Sequence, residues 1–483
     1  MHSPRSVRLF ACAFAVAGGL FVATGLSRSQ PPLAESNQPK TFGYTMPSAK
    51  FVGALSCAAA SCHGGVAGGP AGSEYTTWAD HIRDGDRRRP ADPHSGAYEV
   101  LFNSTSRGIT KNLNERIPAH QNPTCLKCHA PEAAMDKVQP MGVSCESCHG
   151  PAEHWLTVHY RSDWKVRSPQ EKAERFGLYP TKDLAFRITA CASCHVGDAT
   201  REVNHDLIAA GHPRLAFEYT AYQAHPHYTR HWRETAYGPD FEARAWEIGQ
   251  AACARSAVEL LKSRAEKAAK KGPWPEFSEY RCFACHQDVS NTGRKPVGGS
   301  TRRPGALAWG TWYTPMLELL GSEQSSLAIS LGRLKARVES PSVSAAEVAA
   351  DATAVRVRLE DLMTQLQNAG DRDSQDRPYS AEQVRLLFER IGRHALTDDG
   401  QAFRDSDWDH LTQHYLGAAA LYSAWGRLDR IGRDTSPRGS LEAMGGLLAF
   451  PRNYNSPRGT DPAQLLPHFQ ALRRNPPTRS GGP

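Results

Sequence analysis

The chain has 483 residues, 22% of them charged and 40% hydrophobic, a balance that excludes a disordered or fibrous protein and suffices for two or three folded units. Its 40 Gly and 33 Pro argue for short helices joined by much loop. The net charge of +7 comes from scattered basic residues, with small clusters only at Arg87–Arg89 and Lys267–Lys271, so no nucleic-acid binding is expected.

Residues 1–30 read as a targeting segment. Arg5 and Arg8 precede an uncharged, mostly apolar run from Leu9 to Leu26, which gives way to Ser27-Arg28-Ser29-Gln30. Gly18, Gly19 and Gly25 weaken the run as a permanent helix, which favours a cleaved signal peptide over a retained N-terminal anchor. Either way the rest of the chain is expected in the periplasm or otherwise outside the cytoplasm, with any membrane association confined to this segment. Residues 31–50 read as a linker.

From residue 51 to 290 the cysteines decide the class. Of twelve Cys, Cys12 lies in the signal and Cys253 in a helical pattern from about Phe241 to Lys270, where an inert buried thiol is expected. The other ten form five pairs, each followed at once by His: Cys57, Cys62 and His63; Cys125, Cys128 and His129; Cys145, Cys148 and His149; Cys191, Cys194 and His195; Cys282, Cys285 and His286. Two thiols at this spacing can each add to one vinyl group of the same porphyrin, and the adjoining His then sits under the iron as an axial ligand. Zinc sites need no His after every second Cys, and five pairs leave an odd half-site. Five covalently attached haem c groups are therefore expected. The first motif has four spacer residues instead of two, with attachment by Cys62 alone as the alternative.

The second axial positions need further ligands. Ten of the 20 His lie between Cys57 and His286 outside the motifs, and only Met135 and Met141 are Met there, so ligation by two His is the default. The stretch MGVSCESCHGPA, with Trp78 and HSGAYEVL upstream, resembles the cytochrome c-552/c-554 family, whose best-known member is a tetrahaem electron carrier. The resemblance covers about Val52 to Trp232. It implies that His94 ligates the iron of the His149 haem and that His159, ten residues after the third motif His, serves the His63 haem, with His154 as the alternative. His81 reads as a surface residue, and Asp84–Arg89 as an insertion. For the fourth and fifth haems, His205 and His212 lie seven apart in VNHDLIAAGHPRLAFEY and are the expected ligands, with His225, His227 and His231 as substitutes. The resemblance also implies that the second haem, that of His129, has an open iron, since only His120 lies near it in sequence.

Residues 291–305 read as a linker, and 306–483 as a helical C-terminal domain. Val355, Leu359, Leu362, Met363 and Leu366 form one stripe, Val384, Leu387, Phe388 and Ile391 another, and Ser380 with Gln383 suits a capping box. His410 and His414 read as structural. The fold class is thus mainly α: a loop-rich multihaem cytochrome domain followed by a small helical domain. The expected function is electron transfer between redox partner proteins. The rival is an oxidoreductase acting on a small nitrogen or sulfur compound at the iron of His129.

Overall fold

Short, capped helices dominate the first half of the chain because Gly, Pro and Asn interrupt every apolar run. The computed structural model describes residues 44–66, 72–84, 87–224, 238–282, 307–310, 312–320, 325–368, 379–396, 407–428, 436–449 and 461–474. The expected signal, most of the linker after it and the linker at 291–305 lie outside these residues, as do Cys285, His286, His225, His227 and His231.

Among the described residues nine α-helices lead up to the longest one: α1 Glu74–Ala79, α2 Ser104–Asn112, α3 Pro123–His129, α4 Pro131–Met135, α5 Cys145–His149, α6 Pro169–Phe176, α7 Leu184–His195, α8 His205–Ala209 and α9 Tyr219–Gln223. Side-chain caps start several of them: Asn103 on α2, Asn122 on α3, Ser168 on α6, Asp183 on α7 and Asn204 on α8. The stretch read as an insertion is an antiparallel hairpin, β1 His81–Asp84 with β2 Arg87–Pro90, in which Ile82 pairs with Arg89 and Arg83 with Arg88. Between residues 51 and 178 the apolar core is small: Ala152, Trp155 and Trp164 with Val52, Leu156, Val158, Phe176 and Leu178 around them. So little buried apolar surface does not organise this much loop without another body to fold around.

The second half is built mostly of longer helices, with one short turn, α11: α10 Phe241–Ala268, α11 Leu317–Leu320, α12 Ser326–Val338, α13 Ala345–Asn368, α14 Ala381–Ala395, α15 Trp408–Leu428, α16 Ser436–Leu448 and α17 Pro462–Arg474. The molecule is mainly α, as expected. The two stripes bury Val355, Leu359 and Met363 on α13 and Val384, Phe388 and Ile391 on α14, and Ser380 with Gln383 forms a reciprocal capping box.

Helix α10 is largely buried and carries three cores at once. Ala243 and Trp246 join the core of α14, α15, α16 and α17; Ala254, Val258, Leu261 and Ala265 join that of α12 and α13. Ala245, Ile248, Ala251 and Ala252 pack with Leu184, Ala185, Ile188 and Ala192 of α7. Its many Ala residues let three neighbours approach, and Cys253 is buried among them, where burial pushes its thiol well up and leaves it unreactive. The packing thus runs from α7, which carries the fourth Cys-His motif, through α10 to the C-terminal helices.

A second tie is polar. Arg214 donates in parallel to both carboxylate oxygens of Asp409 at 2.6 and 2.7 Å, and Asp409 is only 8% exposed. Asp409→Ala leaves a largely buried guanidinium unpaired and is expected to cost about 3 kcal/mol. A denaturant midpoint unchanged in that variant would show that the pair contributes nothing net.

Candidate functional site

Three of the five motifs end a helix. In α3, α5 and α7 the motif His is the last residue and the first Cys lies one turn before it, so Cys and His share a face with the second Cys beside them. The first motif begins in a 3-10 turn, Ala54–Cys57, and its longer spacer closes a second turn in which Ala59 O accepts from Cys62 N and Gly64 N at 2.9 Å. Of the fifth motif only Cys282 lies among the described residues.

The motifs converge. The Cys57 and Cys145 thiols are hydrogen-bonded to each other, as are those of Cys128 and Cys194, and Cys148 lies close to Cys191 and Cys194. The first motif therefore adjoins the third, the third the fourth, and the fourth the second. Several large apolar side chains in this half are exposed, among them Leu55, Val100, Phe102 and Met135, an apolar surface that a macrocycle would cover.

The histidines fall into facing pairs. Ring centroids are 6.1 Å apart for His63 and His159, 6.0 Å for His94 and His195, and 6.4 Å for His129 and His212. Two imidazoles on opposite sides of one metal ion, each bound at about 2 Å through a ring nitrogen, have centroids about 6 Å apart. In centroid separation each pair fits an iron between its rings.

The far ring nitrogens agree. Nδ1 of His63 donates to Glu74 Oε2 at 2.9 Å, Nδ1 of His129 to Ala97 O at 2.7 Å, Nδ1 of His159 to Leu156 O at 2.8 Å and Nδ1 of His212 to Pro213 O at 2.8 Å. These partners only accept, so each Nδ1 carries the proton and Nε2 keeps a free lone pair, the tautomer that binds metal. Nδ1 of His94 lies 3.2 Å from Asp92 Oδ1. Burial holds His129, His212 and His195 below the usual imidazole range, His195 at about 4 with His94 adding to the effect, so all three are neutral at pH 7. Phe217 stacks on His195 at 5.0 Å and Tyr222 meets its edge at 5.2 Å.

Other expected residues sit differently. His154 spends its Nε2 on Ser48 O at 3.0 Å, the nitrogen that His159 keeps free. The resemblance implied that His94 serves the His149 iron; the His94 ring lies 6.0 Å from that of His195. The His94 backbone explains the ambiguity, since His94 O accepts from Val143 N at 2.9 Å, just ahead of the third motif. His205 and His212 do not share a helix face, because α8 ends at Ala209 and the chain turns at Gly211, where φ is +119°. His205 stays with the approach to the fifth motif: its N–H donates to Glu276 Oε1 at 2.8 Å and its ring lies 5.8 Å from Phe277. His120 stacks on Phe102 at 4.3 Å. His81 lies on the hairpin, its Nδ1 donating to Ala79 O at 3.1 Å.

Two carboxylates had no signal in the sequence. Glu146, inside the third motif, is fully buried and accepts from Val52 N, Gly53 N and Ala152 N, while Glu132 Oε1 accepts from Ser144 N and Ser147 N. They hold the turns on which the first and third motifs stand.

The family model described as cytochrome c554 and c-prime matches residues 89–150, which hold His94 and the second and third motifs. Over this stretch the chain resembles c-type cytochromes, which supports covalently bound haem, a cytochrome c-type electron-transfer role and an extracytoplasmic location. No curated protein and no solved structure matches the chain. Among the described residues no helix is long and apolar enough to cross a membrane.

Proposed function

We propose that this chain is a periplasmic five-haem cytochrome c that passes electrons between redox partner proteins, with the resemblance over residues 89–150 as its starting point. Haem c, when bound, supplies one-electron chemistry at iron. The reading rests above all on the facing of His129 and His212 at 6.4 Å. In the family resembled, the second haem is open. Here the far side of that motif is occupied by an imidazole whose Nδ1 is already engaged and whose Nε2 is free, which favours a carrier over an enzyme that binds substrate at iron.

In this reading His63 pairs with His159, His195 with His94 and His129 with His212, while His205 serves the fifth haem. Glu74, Ala97 O, Leu156 O and Pro213 O fix the imidazole tautomers and hold the rings in position. The thiol contacts bring first, third, fourth and second motifs into one continuous path. Phe217 and Tyr222 shield His195 from water, and the C-terminal helices brace α7 through α10 and leave an outer surface for partners.

The count of five is tested by intact mass and pyridine haemochrome on the mature protein. Both should return five haems per chain, and a smaller number overturns the proposal.

A further inference from the structure

The Nδ1 atoms of the facing histidines do not all meet the same kind of partner. Those of His129, His159 and His212 donate to backbone carbonyls, which are neutral acceptors. Nδ1 of His63 donates to a carboxylate, 2.9 Å from Glu74 Oε2. A second carboxylate, that of Asp92, lies 3.2 Å from Nδ1 of His94, but its Oδ1 already accepts from the amide N–H of His94 at 2.9 Å. The His63 contact is thus a charge-assisted hydrogen bond made through the ring itself.

The local fold delivers Glu74 to this place. Beside it in α1, Tyr75 N donates to His63 O at 2.9 Å, so one helical turn holds both the backbone and the ring of the motif histidine. Gly72 N donates to Glu74 Oε2 at 3.1 Å and Gly65 N to Gly72 O at 2.8 Å, which folds the chain after the motif back onto it. At Gly72 φ is +106°, and a Cβ there would lie 2.8 Å from Cys62 O, so the returning chain passes the motif with room for glycine only. The ring held in this way is also well placed for an iron. His63 and His159 face each other at 6.1 Å with their planes within 14° of parallel, and with both Nδ1 atoms engaged each Nε2 is free.

We infer that Glu74 is a positioning residue that lowers the reduction potential of the first haem by acting through His63, an inference that rests on the proposed five-haem reading. The carboxylate pulls on the Nδ1 proton, which makes the ring a stronger donor at Nε2, and its negative charge favours the ferric over the ferrous state. A carbonyl acceptor brings no such charge. The His63 side chain is 40% exposed and that of Glu74 42%, so water screens the effect without cancelling it. The expected size is about threefold to tenfold in the reduction equilibrium, or about 28 to 59 mV for a one-electron couple. Among the four motifs that adjoin one another, the first stands at one end, next to the third. A lower potential there biases an electron to leave the first haem for the third.

The test is spectroelectrochemical titration of the holoprotein at one fixed pH, for wild type, Glu74→Gln and Glu74→Ala. A Gln oxygen still accepts from His63 Nδ1 and Gly72 N, so Glu74→Gln removes the charge and keeps the ring in place. One potential should rise by this amount in Glu74→Gln, and by at least as much in Glu74→Ala, while the others move less. The haem is identified in the His159→Ala background, where its opened iron gives a high-spin band whose potential should rise with the same substitutions. Five haems by haemochrome with every potential unmoved, with a downward shift, or with a shift confined to another haem overturns this inference alone. A first-motif peptide that carries no haem by mass overturns both it and the five-haem reading.

Discussion

His212→Ala is expected to convert one low-spin haem of the oxidised protein into a high-spin one and to let the reduced protein bind carbon monoxide at that haem. The spin state follows the number of strong axial ligands, and His212 is the ring that faces His129 at 6.4 Å. The residue is positioned by the turn around it. Asn112 Nδ2 of α2 donates to Ala210 O at 2.9 Å, and Gly211 sits at φ +119° with Ile109 of α2 packed next to it. These contacts do not involve the His212 ring, so its truncation leaves the loop in place and removes only the ligand. In wild type the His129 haem should give a low-spin signal that is indifferent to nitrite, hydroxylamine and cyanide. His154→Ala should leave the spectrum unchanged, since His154 engages Ser48 O, while His159→Ala should open the His63 haem. A His212→Ala protein with no new high-spin signal and no carbon monoxide binding would refute the assignment and restore the case for catalysis at the His129 iron.

This iron also marks where sequence reading stops. The thiols and motif histidines are legible because covalent attachment imposes a fixed local spacing. Distal ligands obey no such rule, since they meet the iron through the tertiary fold. His94 contacts the third motif through its backbone and the fourth through its ring, and a linear pattern cannot separate the two. The choice between His154 and His159, five residues apart, depends on which ring turns its Nε2 toward Ser48. In the C-terminal helices, half-buried α13 and α14 show their stripes plainly. The helical pattern of α10 is legible too, but that three separate cores meet along it and join α7 to those helices follows only from the packing.

The largest stability effect is expected at a residue that the motif leaves unspecified. In succession Lys50 N donates to Glu153, Phe51 N to Asp136, and Val52 N and Gly53 N to Glu146, so three carboxylates around the third motif clamp the segment that leads into the first. Glu146 is the innermost, and it also accepts from Ala152 N at 2.7 Å. Glu146→Ala strands three amide donors and should cost about 3 kcal/mol or more in denaturant unfolding of the holoprotein. Glu146→Gln keeps one accepting oxygen but turns an N–H toward a donor, so it should fall between the two. The loss is not confined to stability. Gly53 opens the turn that places Cys57 against Cys145, so freeing it should lower haem occupancy at the first motif more than at the fourth, read by mass of the tryptic haem peptides. If Glu146→Ala unfolds within about 1 kcal/mol of wild type and loads every motif equally, the clamp does not hold the first and third motifs together. The adjacency of those two motifs would then have to come from the haems themselves.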